Sequence, residues 1–164
     1  MKHEKSLHLK VNGKEYQANT YPGESLLHFL REKLSVTEVK EGCGKGDCGT
    51  CTVLMDGIAV NACIVFALQA EGSEILTVRG LGTREDLHPL QKAFIEHGAI
   101  QCGFCTPGMI LAAKSLLDQN PRPTREEIKV GISGNLCRCT GYQKIVHAIE
   151  AVSQEGEADT TQQG

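Results

Sequence analysis

The sequence predicts an α+β protein, with a strand-rich first half and a helical second half. Three observations carry this. Leu7, Leu9 and Val11 alternate up to Asn12-Gly13, a dipeptide suited to a tight hairpin turn. Gly80-Leu-Gly-Thr83 breaks the chain near its middle. Beyond it, helix-start signals recur, among them the capping boxes Thr124-Arg-Glu-Glu127 and Thr140-Gly-Tyr-Gln143.

In the first half, strands are expected over Ser6–Val11 and Lys14–Ala18. Ser25 then caps a helix whose stripe is Leu26, Leu27, Leu30 and Leu34. Thr52–Met55, Ile58–Val60 and Ile75–Val78 read as further strands, the first two joined by Asp56-Gly57. In the second half, a short helix runs from Pro89 to His97 and stops at Gly98. Thr106 and Pro107 cap and open another, which runs to about Gln119. Thr124 and Thr140 open the third and fourth, the last carrying Ile145, Val146, Ile149 and Val152. The expected domains are residues 1–80 and 84–153. A polar tail over 154–164 is expected to be disordered.

All eight cysteines fall into two sets of four. Cys43, Cys48, Cys51 and Cys63 follow the C-x4-C-x2-C…C spacing of a plant-type [2Fe–2S] site. Gly42, Gly44, Gly46 and Gly49 interleave with these ligands, which lets backbone approach an inorganic core closely and point N–H groups at its sulfurs. Cys102, Cys105, Cys137 and Cys139 form a C-x2-C followed by a distant C-x-C, a spacing that zinc could also use. Eight cysteines in 164 residues is about 5%, below a disulfide scaffold's roughly 8–10%.

The segments Gln101-Cys-Gly-Phe-Cys-Thr-Pro-Gly108 and Gly134-Asn-Leu-Cys-Arg-Cys-Thr-Gly-Tyr142, with the first cysteine loop, resemble the iron–sulfur subunit of the molybdenum hydroxylases. This is the xanthine dehydrogenase, aldehyde oxidase and carbon monoxide dehydrogenase family. The resemblance runs from about Leu7 to Val152 and is met at all eight cysteines. It implies an N-terminal ferredoxin-like β-grasp domain followed by an all-α four-helix bundle, each holding a [2Fe–2S] cluster. It implies a large molybdenum–pterin subunit beside the second cluster and a medium FAD subunit beside the first, assembled as a dimer of heterotrimers. It also places Gln101 against the pterin. The chain then passes electrons without performing substrate chemistry itself. A purine such as xanthine is the favoured substrate of the complex, with an aldehyde, nicotinate or carbon monoxide as alternatives. Two other readings compete with this one: a zinc-stabilised interaction module and a free-standing ferredoxin.

A net charge of −3 gives no basis for nucleic-acid binding, and no apolar run is long enough to span a bilayer. The first residues lack an apolar signal core, so a cytoplasmic location is expected, where thiols stay reduced. The six histidines are read as surface or core residues, because the cysteines already complete two sites. Lys45, Asp47 and Arg138 lie within the cysteine loops as solvating or potential-tuning charges. No phosphate-binding glycine pattern or nucleophile–base motif is present.

Overall fold

The computed structural model describes residues 4–155. Strands β1 (Lys5–Val11) and β2 (Lys14–Thr20) pair antiparallel around Asn12-Gly13, both in the left-handed region at φ 52° and 76°. That is the conformation a primed hairpin turn requires. Leu7, Leu9 and Val11 turn one face of β1 into the core, as the alternation requires.

Helix α1 (Leu26–His28) continues directly into a π-helical stretch, Phe29–Lys33. The Ser25 hydroxyl accepts from the His28 amide at 3.2 Å, so the expected cap forms. Strands β3 (Thr52–Met55), β4 (Ile58–Asn61) and β5 (Glu74–Leu76) complete a mixed five-stranded sheet in the order β2-β1-β5-β3-β4. Only β1 and β5 run parallel. Leu26, Leu27, Phe29 and Leu30 bury the helix against this sheet. The last strand is shorter than expected: Val78 begins a four-residue helix, α2 (Val78–Leu81), and Val78 and Leu81 pack on the second core.

The second half is helical: α3 (Pro89–Glu96), α4 (Thr106–Gln119), α5 (Arg125–Gly131) and α6 (Gln143–Glu155). Its core holds Leu90, Phe94, Met109, Ile110, Ile128, Ile145 and Ile149. The Thr124 box forms in full, its hydroxyl accepting from the Glu127 amide and its own amide donating to the Glu127 carboxylate.

Two expected caps differ. Thr106 is already helical, and the cap position falls on Cys105 without a side-chain bond. The Thr140 box does not form. Gly141 and Tyr142 both adopt positive φ, at 65° and 66°, so α6 starts only at Gln143. Thr140 instead turns its hydroxyl to the Cys137 sulfur at 3.1 Å. Gln154 and Glu155 still belong to α6, and the remainder of the predicted tail lies outside the described residues.

The sheet and the helices meet along α4 and β3, where Leu54, Leu111 and Ala112 are buried between the two cores. Among the described residues, no helix is long and apolar enough to cross a membrane.

Candidate two-cluster electron-transfer site

The first cysteine set sits in the loop between α1 and β3, with Cys63 arriving just after β4. Two glycines have identifiable steric reasons here. A Cβ on Gly42 would stand 2.8 Å from the Cys48 sulfur. Gly49 sits at φ 66°, and a Cβ there would meet the Gly134 carbonyl oxygen at 2.2 Å. The loop is thus shaped by closeness as well as by left-handed turns.

The second set is built from the turn before α4, which supplies Cys102 and Cys105, and the turn before α6, which supplies Cys137 and Cys139. None of the eight cysteines is in a disulfide. Cys51 is buried, Cys102 and Cys139 are exposed, and the other five lie between.

Within each set the thiols stand in two pairs. Cys43 contacts Cys48, and Cys51 contacts Cys63. In the second set Cys139 donates to Cys102 at 3.6 Å, and Cys105 pairs with Cys137. Cys48 also acts on Cys51, and Cys102 on Cys105, through charge. Among the described residues, no three His, Cys, Asp or Glu side chains converge where a single ion could bind. A mononuclear zinc site needs four sulfurs about one point. Two pairs per set fit a two-iron core, in which each iron takes two thiolates.

The local fields differ between pairs. The Lys45 amide, donating at 3.5 Å, is the largest cause holding the Cys43 thiol down at about 6, helped by the Cys48 amide. Burial pushes Cys51 and Cys105 up to about 12. At Cys137 burial also raises the value, but the Thr140 hydroxyl and amide outweigh it and leave the thiol lowered. Its hydrogen bond with Cys102, the largest cause, raises Cys139. One sulfur in each set, Cys51 and Cys105, is desolvated, so its thiolate is disfavoured until a cation neutralises it.

Gln101 is exposed beside Cys102. Among the described residues its side chain makes no hydrogen bond, so it does not cap its own loop. Lys45 and Asp47 pair with one another at 2.9 Å on the surface of the first loop. Three supporting residues, Tyr142, Thr50 and Asn135, lay inside the cysteine motifs without an assigned role, and Thr140 supports the site instead of capping a helix. The Tyr142 hydroxyl accepts from the Cys137 amide at 2.8 Å and donates to the Asn135 carbonyl at 3.3 Å. The Thr50 hydroxyl donates to the Phe104 carbonyl at 3.1 Å, and Thr140 serves Cys137 as described. Asn135 is buried between the two loops. Tyr142 and Thr140 act locally, the positive φ at Gly141-Tyr142 aiming the tyrosine back at its own loop, whereas the partners of Thr50 and Asn135 are distant in sequence.

Two family descriptions match this architecture: a 2Fe-2S iron-sulfur cluster binding domain over residues 9–75 and a [2Fe-2S] binding domain over residues 77–150. The chain is 53% identical over 146 residues to the nicotinate dehydrogenase small FeS subunit of Eubacterium barkeri, covering 88% of this chain and 92% of that one. It belongs to the iron–sulfur subunit family of the molybdenum hydroxylases. The xanthine dehydrogenase iron-sulfur-binding subunit of Escherichia coli O157:H7 is 46% identical over 142 residues, covering 85% of this chain and 88% of that one. Quinoline 2-oxidoreductase from Pseudomonas putida 86 contains a chain of the same fold, with TM-score 0.89 and 44% identity over 94% of this chain and 97% of that one. This iron–sulfur subunit is therefore an electron-transfer component of an oxidoreductase complex, with a ferredoxin-like sheet domain and a helical part.

Proposed function

We propose that this chain carries one [2Fe–2S] cluster on Cys43, Cys48, Cys51 and Cys63 and another on Cys102, Cys105, Cys137 and Cys139. In this reading it takes electrons from a molybdenum–pterin centre on a large partner subunit and delivers them to FAD on a medium one. The observation that carries the reading is the pairing of thiols within each set, because paired thiols match two irons per set. The clusters supply reversible one-electron chemistry when bound. The chain's own residues fix the sulfurs, donate N–H groups to Cys43 and Cys137, and keep Cys51 from water.

The two ends of the relay have different surfaces. Around the second set, Ile100, Phe104 and Leu136 are exposed beside Gln101 and the exposed Cys102 and Cys139. This apolar, open edge suits the large subunit, with the free Gln101 amide donating to and accepting from a pterin edge. Around the first set, Ile64 and Phe66 are exposed next to Cys63 and suit the medium subunit. The domain limits 1–80 and 84–153, a four-helix arrangement for the latter, a dimer of heterotrimers and a cytoplasmic home complete the reading. Eight unpaired cysteines agree with a reducing compartment.

For the complex as a whole we favour hydroxylation of a nitrogen heteroaromatic ring, a purine such as xanthine or a pyridine such as nicotinate. The relatives described above are named for nicotinate, xanthine and quinoline, all rings of this kind, while others are named for aldehydes, so an aldehyde stays an alternative alongside carbon monoxide.

Rapid mixing of the assembled complex with substrate, followed by cluster bleaching, tests the relay. Gln101→Ala is expected to leave both clusters assembled and reducible by dithionite, while slowing their reduction by substrate. Unchanged bleaching kinetics would remove Gln101 from the route. A colourless chain containing stoichiometric zinc would overturn the reading as a whole.

A further inference from the structure

Asn135 is 5% exposed and bridges the two domains. Its side-chain amide donates to the Gly49 carbonyl at 2.8 Å and to the Thr52 hydroxyl at 3.1 Å. Gly49 lies between Cys48 and Cys51, and Asn135 lies two residues before Cys137. The next peptide makes a second crossing: the Leu136 amide donates to the Cys48 carbonyl at 2.9 Å. A single hydrogen bond therefore connects the covalent chain at Cys48 with the covalent chain at Cys137.

This crossing has little slack. A Cβ on Gly108 would stand 2.6 Å from the Gly49 carbonyl oxygen, so α4 closes over the same carbonyl that Asn135 holds. On its other side, the Asn135–Cys137 stretch is fixed at both ends by the Tyr142 hydroxyl. A buried amide in such a place has two donors and uses both.

We infer that Asn135 is a positioning residue for electron transfer between the two cysteine sets. Its amide latches the first loop onto the second and thereby keeps the Leu136 N–H on the Cys48 carbonyl. With clusters on both sets, the transfer would oxidise the one held by Cys102, Cys105, Cys137 and Cys139 by one electron and reduce the one held by Cys43, Cys48, Cys51 and Cys63 by one. No bond breaks, and Asn135 exchanges no proton. The electron comes from the molybdenum–pterin partner and leaves to the flavin partner. The inference rests on the cluster assignment proposed above.

The test uses the full chain with both clusters assembled, in wild type, Asn135→Ala and Asn135→Asp. Iron analysis comes first: an iron-free wild type would overturn the cluster assignment, and the inference with it. With iron present, the variants are expected to keep their full complement, because no thiolate is removed. Hydrogen exchange at the Leu136 amide should accelerate about tenfold or more, as loss of a buried hydrogen-bond anchor implies. The magnetic interaction between the two reduced clusters, read by electron paramagnetic resonance, should weaken. If Asn135→Ala does not fold, Thr52→Val removes one of the two bonds from the opposite side and is read in the same way, with a smaller change expected. A fully iron-loaded variant with wild-type Leu136 exchange and wild-type cluster–cluster interaction would overturn the inference.

Discussion

The Cys137 amide donates to the Tyr142 hydroxyl at 2.8 Å, so a cysteine of the second set is held by a side chain five residues ahead of it. Tyr142 reaches back because its own φ is 66°, a conformation a non-glycine residue adopts only when its surroundings enforce it. Tyr142→Phe keeps the ring and removes both hydrogen bonds. The expected cost is about 1–3 kcal/mol, since the Cys137 amide loses its partner in a partly buried place. Denaturation followed at the cluster absorption should show the shift. An unchanged midpoint would mean that water replaces the hydroxyl without cost.

Iron and acid-labile sulfide should each be found at about four per chain, because each [2Fe–2S] site consumes four thiolates. Cys43→Ser and Cys137→Ser should each remove one of two paramagnetic signals and leave the other. Loss of both signals on either substitution would contradict two separable sites.

Gly49→Ala should destabilise the protein far more than Gly13→Ala, although both glycines have positive φ. The left-handed conformation alone costs roughly 1–3 kcal/mol for a residue with a Cβ. Gly13 has nothing within 4 Å of that Cβ, whereas at Gly49 it would collide with the Gly134 carbonyl. The difference between the two melting curves measures the closeness of the loops. Equal shifts would show that backbone conformation, not packing, governs Gly49.

His88 gives stability a pH dependence. Its Nδ1 accepts from the Leu90 amide at 3.2 Å at the start of α3, which requires the neutral ring. Burial lowers its pKa below the ordinary 6.5. Nearby Lys114 adds to this and Asp118 opposes it. The neutral form is thus favoured in the fold. The stabilisation is present above pH 6.5 and is lost as pH falls below that value through the depressed folded pKa. Urea midpoints at pH 7.5 and 5.5 should differ more for wild type than for His88→Asn, which keeps a capping oxygen but does not titrate. Equal pH dependence in both proteins would count against this assignment.

The division of the chain was legible because its signals are local. Asn12-Gly13 fixes a hairpin, Ser25 and Thr124 cap helices by bonding three residues ahead, and cysteine spacing exposes two sets of four. Thr140 misled for the same reason. Its sequence reads as a capping box, but Gly141 and Tyr142 take positive φ, so the helix starts only at Gln143 while the Thr140 hydroxyl accepts from the Tyr142 amide and donates to the Cys137 sulfur. Val78 also left its expected strand, because the second core draws it into α2. Asn135 and Thr50 could not be given roles from sequence, since their partners lie 86 and 54 residues away. A hydrogen bond across that separation leaves no periodicity to read.

The same separation orders events as the chain is made. Gly49 leaves the ribosome 86 residues before Asn135. At about 5–20 residues per second, the interval is roughly 4–17 s. Cys63 has emerged well before it ends, so the first four thiols are all present while the loop that carries them still lacks its distant anchor. During that interval the loop's shape depends on short-range contacts such as the Lys45 amide on the Cys43 sulfur and the Asn61 side chain on the Gly46 carbonyl. The first four thiols can therefore gather on a nascent chain, whereas fixing their distance to the second set must wait until Asn135 has emerged.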